Sequence, residues 1–328
     1  MTNAPVLVTG GSGFVGPYLI AALEAANRPV VALGHAPERV AGAPWPPAVS
    51  PTWVDVDLRD RSAIDRLIAD VQPAEIYHLA GLSSVADSFA DPAPTYEVNV
   101  MGTLYLLDAV RRFARDSRVL SISSAEVYGG LTSPLTESCP FYPANPYAAS
   151  KVAAEMIAVE QHRSHGLQVI RARAFNHTGP GQLARFVVAS FAKQIAQIEA
   201  GRQAPVMGVG NLSARRDFLD VRDVVDAYVA LMGHGEAGRA YNVCSGRAVA
   251  MQDILDGFLA EAKVTITVEV DPALVRPVDV PELVGSHAAL SAATGWAPRI
   301  PLRQTLADVL AYWRWKVPYL GDAVTAMA

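Results

Sequence analysis

Apolar and polar positions alternate in blocks along the first half of the chain. Short runs rich in Val and Ile occupy residues 6–8, 29–33, 52–54, 75–79, 118–122 and 167–170. Short, mainly apolar runs of that length predict strands buried on both faces. Between them, residues 14–26, 62–71, 95–114 and 147–165 place apolar side chains at i, i+3 and i+4, the helical period. Strand alternating with helix predicts βαβ units, hence an α/β fold with a doubly wound parallel (Rossmann) sheet.

Past Phe175 the rhythm breaks. Turn-rich segments at 178–181, 207–211 and 272–281 separate isolated helices and strands, which predicts a smaller, discontinuous α+β substrate domain. Residues 1–174 are expected to form the domain that carries this sheet. Because 240–243 again reads as a buried strand, 217–246 are expected to return to it, leaving 175–216 and 247–328 for the second domain. Pro44, Pro46 and Pro47 mark 37–51 as a loop.

Composition then narrows the picture by exclusion. With 51% hydrophobic residues in 328, the chain can bury a large core. A net charge of −5 with scattered basic residues lacks the footprint of a nucleic-acid binder. Cys139 and Cys244 stand alone, too few and too far apart for a disulfide framework or a zinc site, so no metal is expected and a reducing, cytoplasmic setting fits. No run reaches the ~18 apolar residues of a membrane span, and the N-terminus has no signal-peptide pattern, so neither membrane nor targeting is expected.

The chemistry begins where the first strand runs into Gly10, Gly13 and Gly16, a GxxGxxG turn opening a helix with Phe14 and Val15 inside it. Glycine suits a φ > 0 turn, close backbone approach to a pyrophosphate and tight helix–strand packing, and the helix N-terminus offers free N–H groups to an anion. An NAD site usually ends its second strand in a carboxylate. Here Leu33 and Gly34 precede His35, so a 2′-phosphate is tolerated, with His35 or Arg39 to meet it. NADP(H) is favoured, and NAD(H) stays open. Asp57 and Leu58 stand where an adenine contact is expected, although the pair can equally belong to the start of the next helix.

Tyr147 and Lys151, four apart in a helical stretch after Asn145-Pro146, project from one face. A nearby ammonium favours phenolate and is expected to lower a phenol from its usual pKa near ~10. Ser124, just past the fifth strand, lies at the carboxyl edge where open α/β sheets bind ligands. Its hydroxyl can donate to the oxygen that Tyr147 protonates.

Taken together, GxxGxxG, His78-Leu-Ala-Gly81, Asn99-Val-Met-Gly-Thr103, Ser123-Ser-Ala-Glu-Val-Tyr-Gly129 and the Tyr147/Lys151 pair, in that order, resemble the extended short-chain dehydrogenase/reductases over essentially the whole chain. The resemblance implies that Tyr147 is the acid/base, that Lys151 binds the nicotinamide ribose, and that Ser124 orients the reacting oxygen. It further implies that Leu79, Ala80, Gly81 and Asn99 line the cofactor and that Ser83 meets the substrate.

The second half, through Ala174-Phe-Asn-His-Thr-Gly-Pro-Gly-Gln182, the 213–223 segment, Tyr241-Asn-Val-Cys-Ser-Gly246 and 276–281, is similar to the nucleotide-sugar branch. Within it the likeness is to GDP-4-keto-6-deoxymannose reductases, which form GDP-rhamnose, and to GDP-mannose 4,6-dehydratases. It implies that Asn176, Lys193, Arg216 and Arg276 hold the nucleotide diphosphate, with Asp279 near its ribose. Guanidiniums give bidentate, charge-assisted contacts to such a group. Arg216 beside Asp217, and Arg222 beside Asp223, also fit a plain surface charge network, and His177 fits a structural role. Glu126 stands at the position of the dehydratase glutamate, but reductases of this kind can carry it too. The reductase is the leading expectation. A 4,6-dehydratase, a 4-epimerase and a non-catalytic dinucleotide sensor or scaffold are the alternatives, and a homodimer or homotetramer is expected from the resemblance.

Overall fold

The structure is a computed structural model and describes residues 4–36, 45–131, 134–274 and 280–320. Its first half runs β1 (Val6–Thr9), α1 (Gly16–Ala25), β2 (Val30–Leu33), β3 (Thr52–Val54), α2 (Arg61–Val71), β4 (Glu75–His78), α3 (Val85–Ala90) and α4 (Pro92–Tyr96). A single π-turn (Glu97–Met101) then leads into α5 (Gly102–Phe113), β5 (Arg118–Ser124), a 3₁₀ turn (Ala125–Tyr128), α6 (Pro146–His165) and β6 (Gln168–Ala174).

The second half runs β7 (Asn176–Thr178), α7 (Val187–Glu199), β8 (Val206–Val209), β9 (Arg215–Asp220), α8 (Val221–His234), β10 (Ala240–Val243) and β11 (Ala248–Ala250). It ends with α9 (Met251–Ala260), β12 (Thr267–Val270), β13 (Glu282–Leu283), α10 (Ala288–Thr294) and α11 (Leu302–Lys316).

Seven strands form one sheet in the order β10-β6-β5-β4-β1-β2-β3, parallel throughout. The predicted strands all appear in it. Their mainly apolar character follows from burial on both sides: α1 and α8 pack one core against one face, and α2, α5 and α6 pack another against the opposite face. The expected return of 217–246 divides in two. Strand β10 pairs with β6 and α8 packs on the main sheet, whereas β9 pairs with β7, β11 and β13 in a second, smaller sheet. That second half has its own core, built on α7, α9 and α11.

The predicted helix over 95–114 is three pieces, α4, the π-turn and α5, and the π-turn holds Asn99. Such single-turn bulges gather at functional positions because they re-aim one side chain without ending the helix. Of the predicted 37–51 loop, residues 37–44 lie outside the described residues, and 45–51 carry no regular structure.

Candidate active site

The glycine turn sits against the end of β4. A Cβ on Gly10, whose φ is +71°, would lie 2.8 Å from the Ala80 nitrogen, and one on Gly16 would lie 2.2 Å from the Gly11 carbonyl. Only glycine lets the β1–α1 turn approach Leu79 and Ala80 this closely. Phe14 and Val15, half-buried, complete the turn, and Val15 is the residue before α1. The cradle therefore fits a dinucleotide pyrophosphate: bare backbone, the N-terminus of α1 and no side chain in the way.

Beneath it runs a chain of buried hydrogen bonds whose directions can be worked out. The Thr103 hydroxyl donates to the Asn99 carbonyl (2.6 Å), so it accepts from His78 Nε2 (3.1 Å). His78 Nδ1 then accepts from the Thr9 hydroxyl (2.8 Å), which itself accepts from the Ala80 N–H (3.1 Å). His78 is thus a neutral strut joining β1, β4 and α5. Burial, with the nearby Lys151 ammonium, pushes its pKa down to about 3.

Asn99 extends the strut to α6. Its Oδ1 accepts from the Leu82 N–H (2.8 Å), and its Nδ2 donates to the Leu82 carbonyl (3.0 Å) and to Ser150 Oγ (2.9 Å). Ser150 in turn donates to the Tyr147 carbonyl (2.7 Å).

Tyr147, Lys151, Ser124 and Glu126 come together at the carboxyl edge of β5. The sheet delivers Ser124 at the last position of β5. Helix α6 starts at Pro146 and is capped by Asn145, whose Oδ1 accepts from the Ala148 N–H (2.8 Å). The Ser124 hydroxyl, whose oxygen accepts from the Glu126 N–H (3.2 Å), lies close enough to the Tyr147 phenol to lower its pKa. Lys151, buried, donates from Nζ to the Ile122 carbonyl (2.9 Å), and a Cβ on Gly81 would lie 3.3 Å from that ammonium. Glu126 accepts from Asn145 Nδ2 through Oε2 (3.2 Å).

One expectation is corrected here. The helical spacing predicts a Tyr147 phenol acidified by Lys151; instead burial pushes its pKa up to about 12, the nearby Ser124 hydroxyl lowers it only in part, and the Glu126 carboxylate raises it further. The ammonium is turned to the Ile122 carbonyl rather than to the phenol. Lys151 itself is lowered to about 8 by burial, against the pull of Glu155 one turn on.

The remaining expected cofactor residues divide. His35, exposed at the end of β2, has the Asp55 carboxylate 3.6 Å away, so the carboxylate missing from β2 stands just beyond the neighbouring strand. The Asp57 carboxylate is taken by Arg59 (2.7 Å), which holds it below the usual range. Leu58 is a core residue packed on Gly102. Neither Asp57 nor Leu58 caps the next helix; Asp60 does, accepting from the Ala63 N–H. Arg39 lies outside the described residues.

On the substrate side, Asn176 starts β7 and Lys193 lies on α7, both half-buried. Ser83 is exposed on the loop before α3. Arg216, on β9, is buried and donates from Nη1 to the carbonyls of Arg215 (2.9 Å) and Val280 (2.6 Å). The surface-network reading of this segment is corrected. Asp217 accepts from Ser245, Gly246 and Gly285, and Arg222 pairs with Asp220 and Asp308 rather than with Asp223. Arg276 and Asp279 lie outside the described residues. His177 stacks on Phe14, rings 8° from parallel with centroids 6.0 Å apart, a packing role. Among the described residues no cluster of His, Cys, Asp and Glu could hold a metal ion.

Comparison with known proteins places this geometry. A family model described as GDP-mannose 4,6 dehydratase matches residues 7–309. The chain belongs to the GDP-mannose 4,6 dehydratase family. A GDP-6-deoxy-D-mannose reductase of Pseudomonas aeruginosa is 39% identical over 315 residues, covering 95% of this chain and 98% of the relative. The solved structure of RMD from Pseudomonas aeruginosa complexed with NADPH has a TM-score of 0.82 at 38% identity, covering 95% of this chain and 99% of that one. The UDP-glucose 4-epimerase of Thermus thermophilus in complex with NAD has a TM-score of 0.82 at 30% identity, covering 94% of this chain and 99% of that one. These relatives of the family are NAD(P)-dependent nucleotide-sugar enzymes of the extended short-chain dehydrogenase/reductase type.

Sequence reasoning missed several supports of this family site. Ser12, inside the glycine turn, stands so close to Gly34 that a Cβ there would lie 2.5 Å from Ser12 Oγ. Ser88, on α3, accepts from the Tyr147 N–H (3.2 Å). Asn145 had a usable signal, because Asn before Pro at a helix start is the pattern of a cap.

Proposed function

We propose that the chain reduces the 4-keto group of a GDP-4-keto-6-deoxy-hexose, converting GDP-4-keto-6-deoxy-D-mannose to GDP-D-rhamnose, with NADPH favoured and NADH accepted. The observation that carries the reading is the Ser124 hydroxyl set beside the Tyr147 phenol at the carboxyl edge of β5. The 39% identity over 95% of the chain to a GDP-6-deoxy-D-mannose reductase supports it, and the relative seen with NADPH supports the cofactor.

Gly10, Gly13, Phe14, Val15 and Gly16 hold the pyrophosphate, Leu79, Ala80, Gly81 and Asn99 line the path to the nicotinamide, and Ser12 with His35 meets a 2′-phosphate. The bound dinucleotide supplies a hydride. The protein supplies the proton. Tyr147, kept protonated by burial, gives its phenolic proton to the C4 oxygen as negative charge develops there, and the Ser124 hydroxyl steadies that oxygen. Lys151 binds the nicotinamide ribose with its ammonium. Asn176, Lys193, Arg216, Arg276 and Asp279 hold the nucleotide diphosphate and ribose.

The second reading, a 4,6-dehydratase, is favoured by one feature: the Glu126 carboxylate beside the phenol, placed to act as a base. Supplying GDP-4-keto-6-deoxymannose with NADPH and following nicotinamide absorbance decides between them. Stoichiometric consumption is the reductase result. No consumption, with ketone formed from GDP-mannose, is the dehydratase result.

We place the enzyme in the cytoplasm, on the free thiols of Cys139 and Cys244. No helix among the described residues is long and apolar enough to cross a membrane. We propose a homodimer formed through α5 and α6, supported by exposed Met101 beside α5 and Met156 on α6. Light scattering that returns a monomer overturns that assembly.

A further inference from the structure

Helix α6 carries a third side chain in line with Tyr147 and Lys151. Glu155 is one turn beyond Lys151 and is more buried than either, at 2% exposure. Its carboxylate takes a bidentate pair from Arg173, Nε to Oε1 at 2.8 Å and Nη2 to Oε2 at 2.9 Å, with Arg171 Nη1 adding a bond at 3.1 Å. Arg171 and Arg173 occupy alternate positions of β6, so both point to the same face, the one under α6.

Arg173 has a second hand. Its Nη1 donates to Tyr128 Oη (2.8 Å) and to the Glu137 carbonyl (3.1 Å), and its guanidinium lies over the Tyr128 and Phe141 rings. Tyr128 ends the 3₁₀ turn that holds Glu126 and follows Ser124, and its hydroxyl donates to Asn242 Oδ1 on β10 (2.7 Å). The helix bearing Tyr147 and Lys151 and the turn bearing Ser124 and Glu126 are therefore joined, beneath the site, through one buried guanidinium.

We infer that Glu155, clamped by Arg173 and Arg171, is a positioning residue for the reaction: it registers Tyr147 and Lys151 against the Ser124–Glu126 turn and supplies the negative charge that balances Lys151 against the two arginines. This rests on the reductase reading for its substrate but not for its cofactor readout. Bidentate pairing fixes direction as well as distance, which a single hydrogen bond does not. Geometry held to a fraction of an ångström is worth large factors in rate. The groups facing Lys151 are Glu155 from α6, His78 from β4 and the Ile122 carbonyl from β5. His78 is uncharged at neutral pH, so Glu155 is the anion in that set.

The test compares wild type with Glu155→Asp and Glu155→Gln, measuring kcat and kcat/KM against pH with GDP-4-keto-6-deoxymannose, NADPH Kd by nicotinamide fluorescence at about pH 7 and about pH 9, on either side of the lysine's titration, and Tm. Glu155→Asp keeps the charge and shortens the reach, so kcat falls ~10-fold or more while the alkaline limb stays in place. Glu155→Gln keeps the shape and removes the charge, so the alkaline limb, and the loss of NADPH affinity with pH, move down by about one pH unit. A purely structural role lowers Tm in both variants without moving that limb, and this outcome overturns the inference. So does Glu155→Asp with wild-type kcat, which decides alone if the Gln variant does not fold. A wild type that binds NADPH but never consumes it with this sugar defeats the reductase reading instead; the fluorescence arm with the Gln variant still tests Glu155.

Discussion

Replacing Asn145 separates two jobs that one side chain performs. Its Oδ1 caps α6 by accepting from the Ala148 N–H at 2.8 Å, and its Nδ2 donates to Glu126 Oε2 at 3.2 Å. Losing the cap costs about 1 kcal/mol. Losing a hydrogen bond to a half-buried carboxylate costs about another 1 kcal/mol, below the value for a fully buried charge. Asn145→Ala therefore loses ~2 kcal/mol, and Asn145→Ser, which restores the cap but not the donor, loses ~1 kcal/mol. At ~2 °C per kcal/mol for a chain of this size, the melts differ by about 2 °C.

Activity carries the sharper contrast. If Glu126 only borders the phenol, as in a reductase, Asn145→Ser lowers kcat by less than ~3-fold. If Glu126 removes a sugar proton, as in a dehydratase, letting it drift costs a share of the ~10²–10⁴-fold that a placed base contributes. Thermal melts, and initial rates of NADPH consumption and of ketone formation from GDP-mannose, on both variants read the two effects separately. A Ser variant as unstable as the Ala variant refutes the capping role, and a ~10²-fold loss in the Ser variant refutes the spectator role of Glu126.

Tyr147→Phe removes the proton donor and keeps the ring, so turnover drops ~10²-fold or more with NADPH Kd unchanged by fluorescence titration; near-normal turnover removes Tyr147 from the mechanism. Gly81→Ala places a Cβ 2.9 Å from Asn99 Oδ1 and 3.3 Å from Lys151 Nζ, so the KM for NADPH rises ~10-fold while the far-UV spectrum is retained. Activity falls as pH rises through about 8, where Lys151 loses its proton; a profile that stays flat to about pH 10, the range of an unperturbed lysine, contradicts the charge assigned to it. His78 works in the opposite range: its folded pKa, about 3, is far below the unfolded ~6.5. Between those values the unfolded chain binds the extra proton, so this group's contribution is present above about pH 6.5 and is lost as pH falls toward about 3, by ~1.4 kcal/mol per unit at most. His78→Gln flattens the slope of stability against pH in urea melts over that window.

What was legible in the sequence is what periodicity writes directly. The glycine spacing shows because a turn at φ +71° against Ala80 admits no other residue, and Tyr147 with Lys151 shows because four residues make about one helical turn. Burial and direction do not show. The raised phenol depends on how deeply α6 sits and on Lys151 choosing the Ile122 carbonyl, neither of which spacing contains. His35 meets Asp55 because β2 and β3 are neighbours in parallel register, a pairing invisible along the chain. The reading of Arg216 with Asp217 failed for an elementary reason: successive residues of β9 point to opposite faces, so adjacency in sequence separates them in space.

The same strand shows how the second half is joined to the main sheet. Asp220, at the end of β9, is buried and caps α8 by accepting from the Arg222 N–H (2.8 Å). Its oxygens also receive Arg222 Nε (2.8 Å) and Nη2 (2.7 Å) and the Thr305 hydroxyl of α11 (2.8 Å). Arg222 reaches on to Asp308, also on α11 (2.6 Å). One carboxylate thus ties the main sheet's helix α8, the second sheet's β9 and the second core's α11 into a single joint. Arg216 stands on that same strand, so its guanidinium inherits its place from a strand anchored at its far end rather than from a loop. In the proposed role of Arg216, a diphosphate would meet a donor already ordered before it arrives, which would spare the entropy of ordering a long side chain on binding and would set the distance between that anchor and the Tyr147 phenol by rigid elements on both sides.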